Sequence, residues 1–455
     1  MSTLAPPPHV PLSYSLPRTI KLARNPLLVF DQYFQTYGDT FSLYVGGTRR
    51  SILTINPEVA RHVLQKNHRN YQKSAIQTDQ LAQFIGRGLL TNDGDDWLRQ
   101  RRLIQPGFHR ERLANIVGIM DQAIHQIGDE LAVSSKKESV MDFYPLMLET
   151  AFRIIGRAIF STEVHGDRLL ELSDNITRLQ EYIVYAIRLP FLRPYYKLIG
   201  KERAMHQLRE DSFSVLNELI EQRKREKEAP DDLLQMLLDS RYEDTGEPMD
   251  ARRLLEEMVV LFVAGHETSA NALAWIFYLL AQHPEVVERL RTEWDEQGSM
   301  STPSLESLRN MRYTTQVIKE GMRLYPPAWI TDRLSIGADE VASYKIPPKI
   351  VVAPFIYGIH RNPAHWDQPH VFNPDRFTAA AEKERHPYAY MPFGGGPRLC
   401  IGNNFAMLEM QLVLQHFLGR FDISLANDQP VEAFPLVTLR PKPGVLLRIR
   451  NRREG

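Results

Sequence analysis

The stretch Phe393-Gly394-Gly395-Gly396-Pro397-Arg398-Leu399-Cys400-Ile401-Gly402 decides the reading of this 455-residue chain. Cys400 is the chain's one cysteine, so no disulfide forms within it and a reducing, cytoplasmic home is expected. A lone cysteine in such a compartment is usually an inert core residue. Its neighbours argue otherwise. Glycines at 394, 395, 396 and 402 leave the backbone bare on both sides of the sulfur, so main-chain atoms can approach a large flat ligand and point N–H groups at the sulfur. A helix is expected to open just after the loop, from about Asn403 to Phe417, and its partly positive N-terminus favours thiolate over thiol. A bound metal would complete that deprotonation. Arg398, two residues from the sulfur, is placed to pair with a carboxylate on the same ligand. A phosphate loop is excluded, because no Gly-Lys-Ser/Thr follows and no clear strand precedes. One cysteine without histidines at ligand spacing does not make a zinc site.

A second informative stretch lies in residues 250–283, which read as one helix ended by Pro284. At 1.5 Å per residue it is roughly 50 Å long, enough to cross the molecule. Its apolar run from Met258 to Leu280 is broken by His266, Glu267, Thr268, Ser269 and Asn271, which suits a buried helix better than a membrane span. The centre reads Ala264-Gly265-His266-Glu267-Thr268. Ala264, Gly265 and Thr268 share a face at spacings of three and four. Small residues beside a hydroxyl leave room for a diatomic ligand, and Thr268 is placed to bond back to the Ala264 carbonyl. The plainer reading is a buried helix with a satisfied polar patch. A zinc-protease helix is excluded, since Ala270 stands where the second histidine would be.

Composition bounds the rest. The chain is 43% hydrophobic and 24% charged, with 55 basic residues balancing 55 acidic ones. A formal net charge of zero argues against nucleic-acid binding. No Gly/Ser linker or repeat divides the chain. Residues 1–24 form a proline-rich segment, of which 1–20 is expected to be irregular, with no apolar stretch for a signal peptide or anchor. Runs such as Ser51-Ile52-Leu53-Thr54-Ile55 suggest a small sheet between about 25 and 65. Residues 97–330 show mostly helical periodicity, and Glu221–Pro230 reads as a solvated helix end and loop. After Pro326-Pro327, short extended stretches alternate with turns to about residue 376, and the tail from Pro435 to Arg450 reads as a hairpin around Pro441–Gly444. The expected fold class is mainly α with minor β: one compact unit with a helix-rich part and a small sheet-rich part.

Position for position, the cysteine stretch resembles the Phe-x-x-Gly-x-Arg-x-Cys-x-Gly signature of the cytochromes P-450. Ala264–Thr268 resembles the Ala/Gly-Gly-x-Asp/Glu-Thr motif of that family. Glu320-Gly321-Met322-Arg323, a spacing that more often marks a weak surface bridge, resembles its Glu-x-x-Arg. Arg376 of Pro374-Asp375-Arg376-Phe377 would be the third member of that structural lock. Trp97 and Arg101 resemble its Trp-x-x-x-Arg. The resemblance runs from about residue 25 to 450, so residues 25–455 are expected to form a cytochrome P-450 haem domain of the soluble bacterial type, behind the 1–24 segment.

The resemblance implies a haem-thiolate monooxygenase with haem b. Cys400 would ligate the iron, its thiolate favouring O–O cleavage. Phe393, Gly394, Gly402, Ala264 and Gly265 would lie against the haem. Trp97, Arg101, Arg333 and Arg398 would serve its two propionates. Thr268 would stabilise the hydroperoxide and Glu267 would relay protons. Members that esterify their haem carry a glutamate before Gly-His; Ala264 holds that position here, so the haem is expected to be non-covalent.

The implied partners are O2, a lipophilic substrate (a fatty acid, terpenoid or carotenoid) and a separate ferredoxin or flavodoxin with its reductase. Arg99, Arg101, Arg102, Arg110 and Arg112 form a candidate docking cluster for that protein, or simply a solvated helix face. Residues 71–96, 178–200 and Ala328–Thr331 are expected to line the pocket. The second segment holds Tyr182, Ile183, Tyr185, Ile187, Leu189, Phe191, Leu192, Tyr195 and Tyr196 beside Arg188 and Arg193; it reads as core or as a lid in peripheral contact with a membrane. Two other functions fit less well. A peroxygenase or isomerase of the same fold would tend to lack the acid–alcohol pair, which is present. A haem sensor would need an output domain, and an electron carrier a closed sixth site.

Overall fold

A computed structural model describes residues 4–45, 49–134, 139–161, 166–227, 230–298 and 303–452. Residues 1–3 of the proline-rich segment and Glu228-Ala229 of the charged run lie outside them. The principal helices are α1 (Gly94–Ile104), α2 (Arg110–Ser134), α3 (Phe143–Phe160), α4 (Gly166–Arg188), α5 (Ala251–Gln282), α6 (Arg312–Leu324) and α7 (Asn403–Arg420). The helix expected over 250–283 is α5. It starts where the Asp250 carboxylate accepts the Arg253 N–H, and stops before Pro284. It is the one described helix long and apolar enough to cross a membrane, yet 83% of its most apolar window is buried inside the protein. Its apolar faces account for this: α3 packs along it, with Phe152 edge-on to Phe262 at 4.8 Å and Phe143 edge-on to Phe277 at 5.2 Å. Such aromatic pairs add to simple area burial.

The sheets are small. Strands β1 (Thr40–Val45), β2 (Arg49–Thr54), β3 (Tyr71–Gln72), β4 (Ser139–Asp142), β5 (Arg333–Ser335), β6 (Val351–Pro354), β7 (Phe421–Leu425), β8 (Glu432–Pro435), β9 (Leu439–Lys442) and β10 (Leu446–Asn451) are the main ones. The largest sheet runs β1-β2-β6-β5-β3, in which β2 and β6 are parallel and the other pairs antiparallel. It includes the β-branched run at 51–55. The fold is thus mainly α with minor β, as expected.

Two local expectations are corrected. Within 1–20, residues from Leu12 on are not irregular: short helical turns cover Leu12–Ser15, Leu16–Arg18 and Thr19–Arg24. The segment before them bridges to the sheets at Ala5–Tyr344 and His9–Ser42, and Val10 is fully buried. The prolines define turns on a packed segment. The tail is not a hairpin around Pro441–Gly444 either. The turn lies at Leu436–Thr438, between β8 and β9. After Gly444 the chain changes sheet, and β10 pairs with β4 on one side and β7 on the other. Asp142 dictates this crossing, because its carboxylate accepts the Val445 N–H at 2.8 Å and occupies the space a side chain on Gly444 would need.

The Glu320–Arg323 pair is no surface bridge. Both side chains are wholly buried. Arg323 donates to both Glu320 oxygens, at 2.7 and 2.8 Å, and to the carbonyls of His360, Pro369 and Val371. Glu320 also accepts the Asn373 N–H at 2.9 Å, with Arg376 at 3.5 Å. Removing one partner of a buried pair strands the other charge. Arg323→Ala is therefore expected to cost about 3–5 kcal/mol, read as a lower urea midpoint; an unchanged midpoint would remove the lock from this account.

Candidate functional site

The cysteine loop is shaped by close packing. Gly394 and Gly396 adopt φ of +75° and +68°, the region that glycine enters without a side-chain clash. A Cβ on Gly396 would sit 1.8 Å from the Leu64 carbonyl oxygen, and one on Gly395 would sit 2.6 Å from the Tyr388 ring. So Gly396 serves protein packing, while Gly395 both makes room for Tyr388 and lines the cavity beside Cys400. Gly394 and Gly402 have open space or ordinary contact there, as a bare ligand face requires. The Cys400 N–H donates to the Phe393 carbonyl at 3.0 Å, closing the loop, and α7 begins at Asn403.

Cys400 is exposed, but to a cavity of about 1200 Å³ that it lines. Burial pushes its thiol up; the Gly402 N–H and the Arg101 charge offset this only in part. A metal is needed to finish the deprotonation.

Every residue proposed from the sequence to touch the cofactor or activate oxygen lines this one cavity: Trp97, Arg101, Ala264, Gly265, Glu267, Thr268, Arg333, Phe393, Gly394, Arg398, Cys400 and Gly402. On α5, Ala264 is exposed within an otherwise buried stretch. Thr268 Oγ1 donates to the Ala264 carbonyl at 2.7 Å, as its spacing implied. Gly265 has a second reason to be glycine: a Cβ there would meet Ile155 of α3 at 2.9 Å. Its small size makes room for a neighbouring helix as well as for the cavity.

Glu267, expected to relay protons, is held by several partners. It is 2% exposed and accepts hydrogen bonds from Arg440 at 2.8 Å, from the Thr438 hydroxyl at 2.6 Å and from Gln180. Arg440 also donates to the Gln180 side-chain oxygen at 2.9 Å. Burial pushes the Glu267 carboxyl up, but Arg440, Thr438, His266 and Gln180 outweigh it and leave it below its ordinary value. Sequence reasoning missed Gln180, Thr438 and Arg440.

It also missed Lys73 and Asp93. Arg398 pairs with Asp93, donates to the Tyr71 carbonyl and lies over the Trp97 ring. Lys73, 6% exposed, donates to the carbonyls of Leu89 and Asn92. Burial, helped by Arg333 and Arg398, pushes Lys73 down to about 7. Burial and Arg398 push Arg333 down to about 10. The buried Lys73 and Arg333 and the partly buried Arg398 thus gather beside Asp93 and Asp332, with Glu257 pushed up to about 7 by burial. A buried excess of positive charge is costly unless anions join it. Haem, with two propionates, fits this donor set, and the sulfur of Cys400 fits its iron.

The three expected pocket segments all contribute walls, among them Ile76, Leu89, Ile183, Ile187, Ala328 and Ile330. Two further segments join them: Leu12–Phe30 and Leu436–Thr438. Within 178–200, Tyr182, Ile183 and Val184 are core. Arg188 is not a lid charge, since it donates to the carbonyls of Ala23 and Pro435. Phe191, Tyr195 and Leu198 are exposed. Of the two readings of the arginine cluster, its ion pairs fit the solvated helix face. Arg99, Arg102 and Arg112 pair with Asp244, Glu243 and Asp231, and Arg101 points at the Leu399 carbonyl in the cavity. That face carries both signs of charge.

A non-glycine residue in the left-handed region costs about 1–2 kcal/mol. Gly394→Ala should lose about that much. Gly396→Ala should lose clearly more, because it adds the collision with Leu64. Thermal melts of the two variants check the order, and equal losses would contradict the packing account.

Comparison with known proteins agrees with this geometry. The family model described as Cytochrome P450 matches residues 4–448. Cyclooctat-9-en-7-ol 5-monooxygenase of Streptomyces melanosporofaciens is 32% identical, over 97% of this chain and 90% of its own length. Cyclooctatin synthase of the same organism is 30% identical, over 94% of this chain and 90% of its own. The crystal structure of the cytochrome P450DA heme domain superposes with a TM-score of 0.87 at 23% identity, covering 99% of both chains. By the family model over residues 4–448 and a relative 32% identical over 97% of the chain, the chain belongs to the cytochrome P450 family.

Proposed function

We propose that this monooxygenase takes electrons from a separate ferredoxin- or flavodoxin-type protein and oxidises a terpenoid. The observation that carries the reading is that Cys400 and the Ala264-Gly265-Thr268 patch line one apolar cavity edged by buried cations. Its volume exceeds the range of about 300–1,000 Å³ for a pocket holding one small molecule, which suits a cofactor and a substrate together. Relatives named for oxidising cyclooctat-9-en-7-ol and echinocystic acid support a terpenoid over a fatty acid. Leu16, Ile20, Phe191 and Leu198 are exposed on segments that reach the cavity wall, a surface suited to receive a lipophilic substrate.

When bound, haem b supplies an iron at which dioxygen is activated. The chain's residues do the rest. Cys400 offers its sulfur, with the Gly402 N–H directed at it. Trp97, Arg101, Arg333 and Arg398, with Lys73, hold the propionates. Phe393, Gly394, Gly402, Ala264 and Gly265 form walls against which the flat ring lies. Thr268 anchors its proton on the Ala264 carbonyl and leaves its lone pairs to the cavity. Glu267 is the proton relay behind it. To act, it must exchange one of its hydrogen bonds, and Gln180 and Thr438 are the partners that also line the cavity.

The first test is optical. The reduced protein with carbon monoxide should show the red-shifted Soret band of thiolate-ligated haem, and Cys400→Ser should lose it; a histidine-type band in the unaltered protein would end this reading. Acid-ketone treatment should release free haem, as Ala264 implies. Titration with a polycyclic terpenoid alcohol should shift the spin state more than a straight-chain fatty acid does, and the reverse order would replace the substrate class. In Thr268→Ala, oxygen uptake should persist while product falls about 10²-fold or more and hydrogen peroxide appears. Unchanged coupling would take the proton role from Thr268.

A further inference from the structure

Outside the cavity, α2 and α7 bring together a carboxylate and two imidazoles that the reaction does not use. Asp121 and His125 stand one turn apart on α2, so they share a face. His416 faces them from α7. The Nε2 atoms of both histidines converge on the same oxygen, Asp121 Oδ1, at 2.7 Å for His416 and 3.8 Å for His125. The two rings lie edge to face with centroids 4.1 Å apart. One donor atom from each of the three residues lies within 4.8 Å of the others. Among the described residues no other group of histidine, cysteine or acidic side chains has this property.

We propose that Asp121, His125 and His416 bind a divalent transition-metal ion of the zinc type. Two imidazole nitrogens and a carboxylate oxygen are a common zinc ligand set, and such a site leaves a fourth position for water. Bond lengths of 2.0–2.2 Å place ligand atoms about 3.3 Å apart in a tetrahedral shell. The present separations bracket that value, so small side-chain rotations complete the site. His125 makes the larger adjustment and is free to do so, since its side chain is 55% exposed against 17% for Asp121 and 14% for His416. It also gives the ion its way in. Arg420, one turn beyond His416, acts against positive charge there, and its pairing with Asp129 at 2.6 Å offsets part of that charge. A bound ion would staple α2 to α7, the helix that starts just after Cys400. Its effect would be structural, raising stability by mass action while leaving the haem untouched.

The test uses haem-loaded protein freed of loose metal with a chelator, then titrated with zinc chloride by calorimetry and by thermal melting. One zinc per chain is expected, with a rise in Tm and no change in the Soret band. His125→Ala removes an exposed side chain and should fold normally; it and His416→Ala should each weaken zinc binding by about tenfold or more and lose the rise in Tm. X-ray absorption at the zinc edge should show two imidazoles and no sulfur. No zinc uptake by the unaltered protein, uptake unchanged in both variants, or sulfur in the zinc shell would each overturn the proposal.

Discussion

The rest of the structure depends on a charge that has no contact with water. The Arg323 guanidinium is fully buried, and such a group is tolerated only when its donors are met. Glu320 meets part of that demand. The carbonyls of His360, Pro369 and Val371 meet the rest, and they belong to irregular chain whose backbone has few ladder partners of its own. The same two side chains therefore satisfy a loop that would otherwise bury unpaired polar groups. The order continues toward the site. His360 Nε2 accepts the Met391 N–H at 2.9 Å, and the Tyr388 ring covers Gly395. Three residues past Gly395 begins the Arg398–Cys400 segment. A buried ion pair is weak evidence for net stability; here its consequence is position.

The cavity divides its electrostatics between two regions. Near Trp97, the buried Lys73 and Arg333 and the partly buried Arg398 stand beside Asp93 and Asp332, and both Lys73 and Arg333 are held below their ordinary values. A dianionic cofactor would add negative charge beside these cations. Near Glu267 the charges instead cancel within the protein, because Arg440 and its partners saturate one carboxylate. Between these regions the lining is largely apolar, with Ile183, Ile187, Val260, Val263, Ala328 and Ile330 among its residues. A preorganised site of this kind orients a cofactor through charge at one region and leaves the substrate to shape and hydrophobic contact.

The sequence by itself determined what short spacing controls. Thr268 bonds to Ala264 because four residues make one helical turn; Glu320 meets Arg323 for a similar reason. Asp250 and Pro284 delimit α5, and the glycines around Cys400 mark a tight loop. The motifs carried the family, and the family carried the cofactor. Local spacing went wrong at Pro441–Gly444, where turn-forming residues mark a change of sheet that Asp142, some 300 residues away in the chain, dictates. It also could not say that Gly395 and Gly396 make room for Tyr388 and Leu64. The cluster around Glu267 joins residues 87, 173 and 260 positions apart, and the pairing of Arg99, Arg102 and Arg112 with acids of residues 231–244 turned a basic helix into a mixed face. Only the tertiary structure decided these, because a buried charge takes its partner from whichever element packs against it, and no periodicity along the chain records which element that is.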